Sequence, residues 1–170
     1  PQKATTIQTS LKNYKTDLVK LKGKVDLIAG GPPCQGFSLA GLRSSDDPRN
    51  KLANEYLKMV ELVNPKYVLL ENVRGFNAVF SKAKGQKGKI PQSMVVKAKL
   101  EKLEYTVFTD SVNSQDFGVP QQRKRFLMVG IRNDIFTEGI EPFRLLKEIA
   151  PLFLKNKGLA TNYVSVKEAI

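Results

Sequence analysis

Val25-Asp26-Leu27-Ile28-Ala29-Gly30-Gly31-Pro32-Pro33-Cys34-Gln35-Gly36-Phe37-Ser38 is the stretch on which the reading of this chain turns. Its apolar start, Val25 to Ala29, reads as a short buried strand that Gly30 and Gly31 stop. A second apolar run, Tyr67-Val68-Leu69-Leu70, closes on Glu71-Asn72-Val73. Between the two, Asp47 is a good N-cap and Pro48 a good first helical residue. Leu52, Tyr56, Met59, Val60 and Val63 then fall on one helical face, and Asn64-Pro65 ends the helix. Pro91 opens another helix, with Val96, Leu100 and Leu103 on a shared face. Tyr105 to Phe108 reads as a third strand, Phe117 to Pro120 as a turn and Arg125 to Gly130 as a fourth strand. A short helix near 142–150 precedes a polar stretch. Residues 1–24 are polar and weakly patterned, 39–47 read as a polar loop, and the lysine-rich 81–89 as another. Strands alternating with helices predict the α/β class, an open sheet with helices on its faces.

A chain of 170 residues has room for one domain with a real core. With 41% hydrophobic and 26% charged residues the composition is globular. No apolar run approaches the ~20 residues of a membrane span, and the lysine-rich start does not read as a secretory signal. A net charge of +12 and a pI near 9.8 point to a polyanionic partner, nucleic acid first, against solubility alone. One cysteine and no histidine exclude an internal disulfide, Ser-His-Asp and Cys-His catalysis and the usual zinc sites. Any covalent chemistry must run on Cys34, carboxylates, lysine and arginine.

Three motifs carry that chemistry. Pro33-Cys34-Gln35 follows the carboxyl end of a buried strand, where open α/β sheets bind ligands. A free thiol has a pKa near ~8.5, so the site must supply positive potential to make thiolate. The plain alternative for a lone cysteine is a buried structural role. Glu71 leaves the core at the end of the second strand. Adjacent strands are ~4.8 Å apart, so Cys34 and Glu71 share a crevice if the two strands are neighbours. An N-cap or a surface acid is the alternative there. Gln121-Gln122-Arg123-Lys124-Arg125 leads into the fourth strand. If it is already extended, Gln121, Arg123 and Arg125 share a face, and two guanidiniums can clamp an oxygen. A solvated basic strand end is the bland alternative.

Taken together, in this order, the motifs resemble those of the DNA cytosine-5 methyltransferase family. Gly30 to Ser38 is similar to its nucleophile motif, Glu71-Asn72-Val73 to its Glu-Asn-Val motif, and Gln121, Arg123 and Arg125 to its Gln-x-Arg-x-Arg pattern. Asp46-Asp47-Pro48-Arg49-Asn50-Lys51-Leu52 is similar to the segment after the catalytic loop. The resemblance runs from about residue 24 to 132. It implies a Rossmann-like, mostly parallel sheet with flanking helices, the S-adenosylmethionine-dependent methyltransferase fold in incomplete form. It implies transfer of a methyl group from S-adenosylmethionine to C5 of a cytosine flipped out of duplex DNA. Cys34 would attack C6, Glu71 would bond to N3, and Arg125 with Arg123 would hold O2. Gly31, Pro33 and Leu52 would lie beside the cofactor and Gln35 and Ser38 near DNA, with no metal.

The family's Phe-x-Gly-x-Gly cofactor loop is not found in these residues, nor is its target-recognition region. Residues 1–170 therefore read as a partial catalytic domain: a cut piece, one half of a split enzyme whose second chain supplies the missing motifs, or a degenerate copy. A restriction-modification system in a bacterial cytoplasm, close to the nucleoid, is the implied setting. A non-catalytic DNA-binding relative and an RNA cytosine-5 methyltransferase stay as alternatives.

Overall fold

A computed structural model describes residues 15–33, 52–78, 90–165 and 167. Among these, the elements run α1 (Lys15–Lys20), β1 (Leu27–Gly30), α2 (Leu52–Val63), β2 (Tyr67–Asn72), α3 (Gln92–Lys102), β3 (Tyr105–Asn113), β4 (Lys124–Arg132) and α4 (Pro142–Asn156), with 3-10 turns at Arg74–Asn77 and Ser114–Phe117. The expected starts at Asp47 and Pro48, the Asp46–Lys51 segment and the lysine loop lie outside the described residues.

Four strands form one sheet in the order β1-β2-β4-β3. β1 pairs with β2 in parallel, Gly30 opposite Leu70. β4 runs against both β2 and β3. Three strands thus point one way, but only one of three pairings is parallel. The cause is local: a parallel return from β3 would need a crossover of a dozen residues or more. The link from β3 to β4 is instead the Ser114–Phe117 turn, with left-handed Gly118 (φ 74°), and a few residues after it. A Cβ on Gly118 would also meet the Ala160 carbonyl at 3.0 Å.

One face of the sheet carries the core. Val68, Leu70 and Asn72 of β2 and Phe126 and Met128 of β4 alternate into it, each at most 4% exposed. α2 packs there through Ala53, Tyr56, Leu57, Val60 and Val63. That arc is rotated from the one the sequence predicts: Leu52, at the first turn, is 39% exposed, and Leu57 takes its place inside. Each fully buried aliphatic side chain contributes roughly 1.5–3 kcal/mol. Asn64, left-handed at φ 50°, stops α2 after its amide bonds to Val60 O. α3 adds Val96 and Leu100, with Leu103 partly buried.

α4 covers the opposite face of β3, tied by Lys147 Nζ to Asp110 at 2.7 Å. Glu141 caps it by accepting from the Arg144 amide, and Pro142 sits in its first turn. The sequence predicts a shorter helix near 142–150, because Pro151 costs a backbone hydrogen bond. The helix runs on to Asn156, since Phe143, Ala150 and Leu154 continue one buried stripe past the proline.

A candidate methyltransferase active site

The carboxyl ends of β1, β2 and β3 and the start of β4 lie along one edge of the sheet. Glu71 is the penultimate residue of β2 and points away from the core, between buried Leu70 and Asn72. It stands opposite Leu127 of β4, and Arg125 is two residues earlier on the same face. That register brings Arg125 Nε to 2.9 Å from Glu71 Oε1. Arg125 Nη1 donates to its neighbour's carbonyl, Lys124 O, at 2.9 Å, which holds the fork in place. The arginine side chain is 21% exposed and the glutamate 48%, so the acid stands half in solvent and its negative charge is matched at one oxygen.

The strand that leads to Cys34 meets the same acid. A Cβ placed on Gly31 would lie 3.1 Å from Glu71 Oε2 and 3.6 Å from Glu71 O. Glycine lets the chain pass this near with the carboxylate undisplaced; a side chain would make Glu71 give way by a few tenths of an ångström. One residue on, the Pro32 carbonyl accepts a hydrogen bond from Asn72 Nδ2 at 3.2 Å. Asn72 Oδ1 accepts from the Val73 amide at 2.7 Å, and Asn72 is 4% exposed. β1 is pinned from behind as well. The Tyr56 hydroxyl reaches Leu69 O at 3.0 Å and Ile28 O at 3.2 Å, across the β1–β2 seam. Burial pushes the pKa of that hydroxyl well above its ordinary value.

Of the residues expected at the site, the structure brings together Gly31, Glu71 and Arg125. Arg123 is not part of that contact. β4 begins at Lys124, so Gln121 and Arg123 belong to the turn before it and are exposed. The two-residue period that would have aligned them with Arg125 does not extend back into the turn. The Arg123 carbonyl accepts from Ser114 N at 3.0 Å and from Ser114 Oγ at 3.2 Å, which closes the turn. Cys34, Gln35 and Ser38 lie outside the described residues.

Asn72 was missed as a contributor. The signal was present: strand alternation puts it on the face of Val68 and Leu70, and a carboxamide there must find partners.

Gly31, Pro33 and Leu52 also answer to the expected cofactor. All three lie where the chain leaves β1 or enters α2; Pro33 and Leu52 are exposed, the latter at 39%. Exposed apolar surface at the carboxyl end of a strand fits one flank of a nucleoside. The Cβ side of Gly31 is filled by the Glu71 carboxylate, so a ligand would meet Gly31 through its backbone.

Comparison with known proteins gives the family. The profile of the family described as C-5 cytosine-specific DNA methylase matches residues 2–167. The Type II methyltransferase M.DdeI of Desulfomicrobium norvegicum is 34% identical over 146 residues, 86% of this chain and 32% of that protein. The Type II methyltransferase M.FnuDI of Fusobacterium nucleatum is 37% identical over 147 residues, 81% of this chain and 40% of that protein. The chain thus spans about a third of the length of these relatives. Among solved structures, the S. pombe Dnmt2 methyltransferase superposes with a TM-score of 0.54 at 19% identity, over 84% of this chain and 37% of that one, a likeness of fold. The chain belongs to the C-5 cytosine-specific DNA methylase family.

Proposed function

We propose that the protein of which these residues form part transfers a methyl group to C5 of a cytosine flipped out of duplex DNA, through a covalent bond between Cys34 and C6. The observation that carries this reading is the convergence of Gly31, Glu71 and Arg125 at one edge of the sheet, with the acid 2.9 Å from the guanidinium and the backbone that leads to Cys34 against it. Residues 1–170 are then one stretch of a catalytic domain. Segments that complete the cofactor site and read the target sequence come from further polypeptide, in the same chain or a second one.

The chemistry follows from the groups in hand. The Cys34 thiolate adds to C6 of the ring. Glu71 donates or shares a proton at N3, so that the ring accepts the electron pair. Arg125 holds O2 and keeps positive potential near the sulfur, which favours the thiolate. C5 becomes nucleophilic; S-adenosylmethionine, when bound, supplies the electrophilic methyl group. Gly31, Pro33 and Leu52 would hold that cofactor, and Gln35 and Ser38 would contact DNA. Loss of the C5 proton then expels Cys34 and restores the ring. The charge of +12 suits a duplex. Relatives named as Type II methyltransferases support a role beside a restriction enzyme; a bacterial cytoplasmic setting near the nucleoid belongs to the same proposal. No helix among the described residues is long and apolar enough to cross a membrane.

The test is product analysis with the complete protein, all its polypeptide segments present. Duplex DNA incubated with S-adenosylmethionine should yield 5-methyldeoxycytidine on digestion, and Glu71→Gln should lower its rate of formation by about 10²-fold or more with DNA affinity kept. Methylation at N4 of cytosine or N6 of adenine, or a Glu71→Gln protein of full activity, would end this reading.

A further inference from the structure

We infer that Asn72 is a positioning residue for the nucleophile, acting through the Pro32 carbonyl; this rests on the assignment of Cys34 as the attacking group. Asn72 sits in the core face of β2, at a place where an aliphatic residue of similar size would pack without any need for partners. A carboxamide there costs free energy unless both its ends are bonded. Here Oδ1 is occupied by the next residue's amide at 2.7 Å, and Nδ2 spans forty residues of sequence to Pro32 O at 3.2 Å. The bond to Pro32 is one that no aliphatic side chain could make, and it ties the end of β2 to the chain leaving β1. Pro33 follows, and its ring fixes φ, so one backbone torsion fewer is free between the held carbonyl and the nucleophile's peptide.

The two neighbours in β2 act as a pair. Glu71 and Asn72 point to opposite faces of the strand, and they meet successive residues of the other chain segment. The Glu71 carboxylate lies against Gly31, and the Asn72 amide holds Pro32. The acid and the segment that carries the nucleophile are thereby fixed to one dipeptide. A placement error of about 1 Å between reacting groups can cost about 10²-fold in rate.

The experiment uses the complete protein, a duplex with 5-fluorocytosine at the target, and S-adenosylmethionine. It follows the single-turnover rate of covalent adduct formation, DNA and cofactor affinities, and thermal unfolding. Asn72→Asp keeps an acceptor for the Val73 amide but, ionised, cannot donate to Pro32. Asn72→Ser is too short to reach it and covers the case in which the first variant folds poorly.

Both variants should form the adduct about 10²-fold more slowly at pH 8, with affinities within about threefold of wild type. For Asn72→Asp the deficit should narrow as pH falls, because the protonated carboxyl can donate to Pro32 again. Among the described residues, the charged groups nearest in the chain and across the strand pair are Glu71 and Arg125 on the opposite face and Arg74 in the following turn; none of them changes between the variants. Asn72→Ser should show the same deficit at every pH. Adduct formation at the wild-type rate in either folded variant would overturn the assignment. So would a loss that tracks only the folded fraction and is equal for the two variants across pH. Absence of any adduct from the wild-type protein is a different result: it would sink the parent reading, and this one with it.

Discussion

Gly30→Ala tests whether the seam beneath the active-site edge is as tight as its geometry demands. A Cβ on Gly30 would lie 2.6 Å from Tyr56 Cε2 and 3.0 Å from Cδ2. Carbon atoms in contact settle near ~3.5–4.0 Å, so something must move by about 1 Å. The ring has little room to yield: Tyr56 is 4% exposed, and its hydroxyl is held at Leu69 O and Ile28 O. Overpacking of this kind costs ~1–3 kcal/mol. If the ring retreats, the buried hydroxyl loses its acceptors, at ~1–3 kcal/mol more. The expected loss is ~2–6 kcal/mol, a large part of a typical ~5–15 kcal/mol total. Urea unfolding of Gly30→Ala, Tyr56→Leu and the double variant reads it directly. Tyr56→Leu removes the ring edge that the new methyl would strike. In that background Gly30→Ala should cost under ~1 kcal/mol, so the two sites should couple by at least ~1 kcal/mol. A Gly30→Ala protein within ~0.5 kcal/mol of wild type, or an equal cost in both backgrounds, would refute the reasoning.

Gly31→Ala separates function from folding. The half-exposed Glu71 carboxylate can shift by a few tenths of an ångström, so stability should change by less than ~1 kcal/mol while methyl transfer falls about tenfold; unchanged turnover would contradict the contact. Arg125→Lys keeps the charge but loses the planar fork. Because the pair is partly exposed it should cost under ~1 kcal/mol of stability, yet slow methyl transfer by about 10²-fold, as compared by unfolding and steady-state assays. Stability should also fall with rising pH above the ordinary tyrosine range. Burial pushes the Tyr105 hydroxyl up to about 12. The folded state therefore keeps a proton that the unfolded chain gives up from pH ~10. That stabilisation is complete below pH ~10 and gone above the folded value, so Tyr105→Phe should show a shallower decline on pH titration of the unfolding midpoint.

The strands of the site were legible because their apolar runs end on punctuating residues: Gly30-Gly31 after β1, and Glu71 after Tyr67–Leu70. The crossing of β1 and β2 as parallel neighbours follows from the helix between them. The insertion of β4 between β2 and β3 was not legible. It depends on β4 pairing with both β2 and β3, and β3 runs well past Phe108 through Thr109–Asn113, where Val112 is the one apolar residue. That Arg123 precedes β4 was not legible for a related reason: a period-two pattern does not announce where it starts. On α2, Tyr56, Val60 and Val63 face the core as read, while Ala53 and Leu57 are buried in place of Leu52 and the partly buried Met59, because Leu52 and Leu57 are equally apolar and only tertiary packing chooses between them. Asn72 escaped notice because a polar residue draws attention to solvent, whereas here alternation carries it inward.

The most direct measurement is the site of covalent attachment. Complete protein, S-adenosylmethionine and a duplex containing 5-fluorocytosine at the target are reacted and digested, and the cross-linked peptide is sequenced by mass spectrometry. The base should be found on the sulfur of Cys34, and Cys34→Ser should give no adduct while still binding the duplex. A base attached to any other residue, or an adduct that persists in Cys34→Ser, would contradict the account.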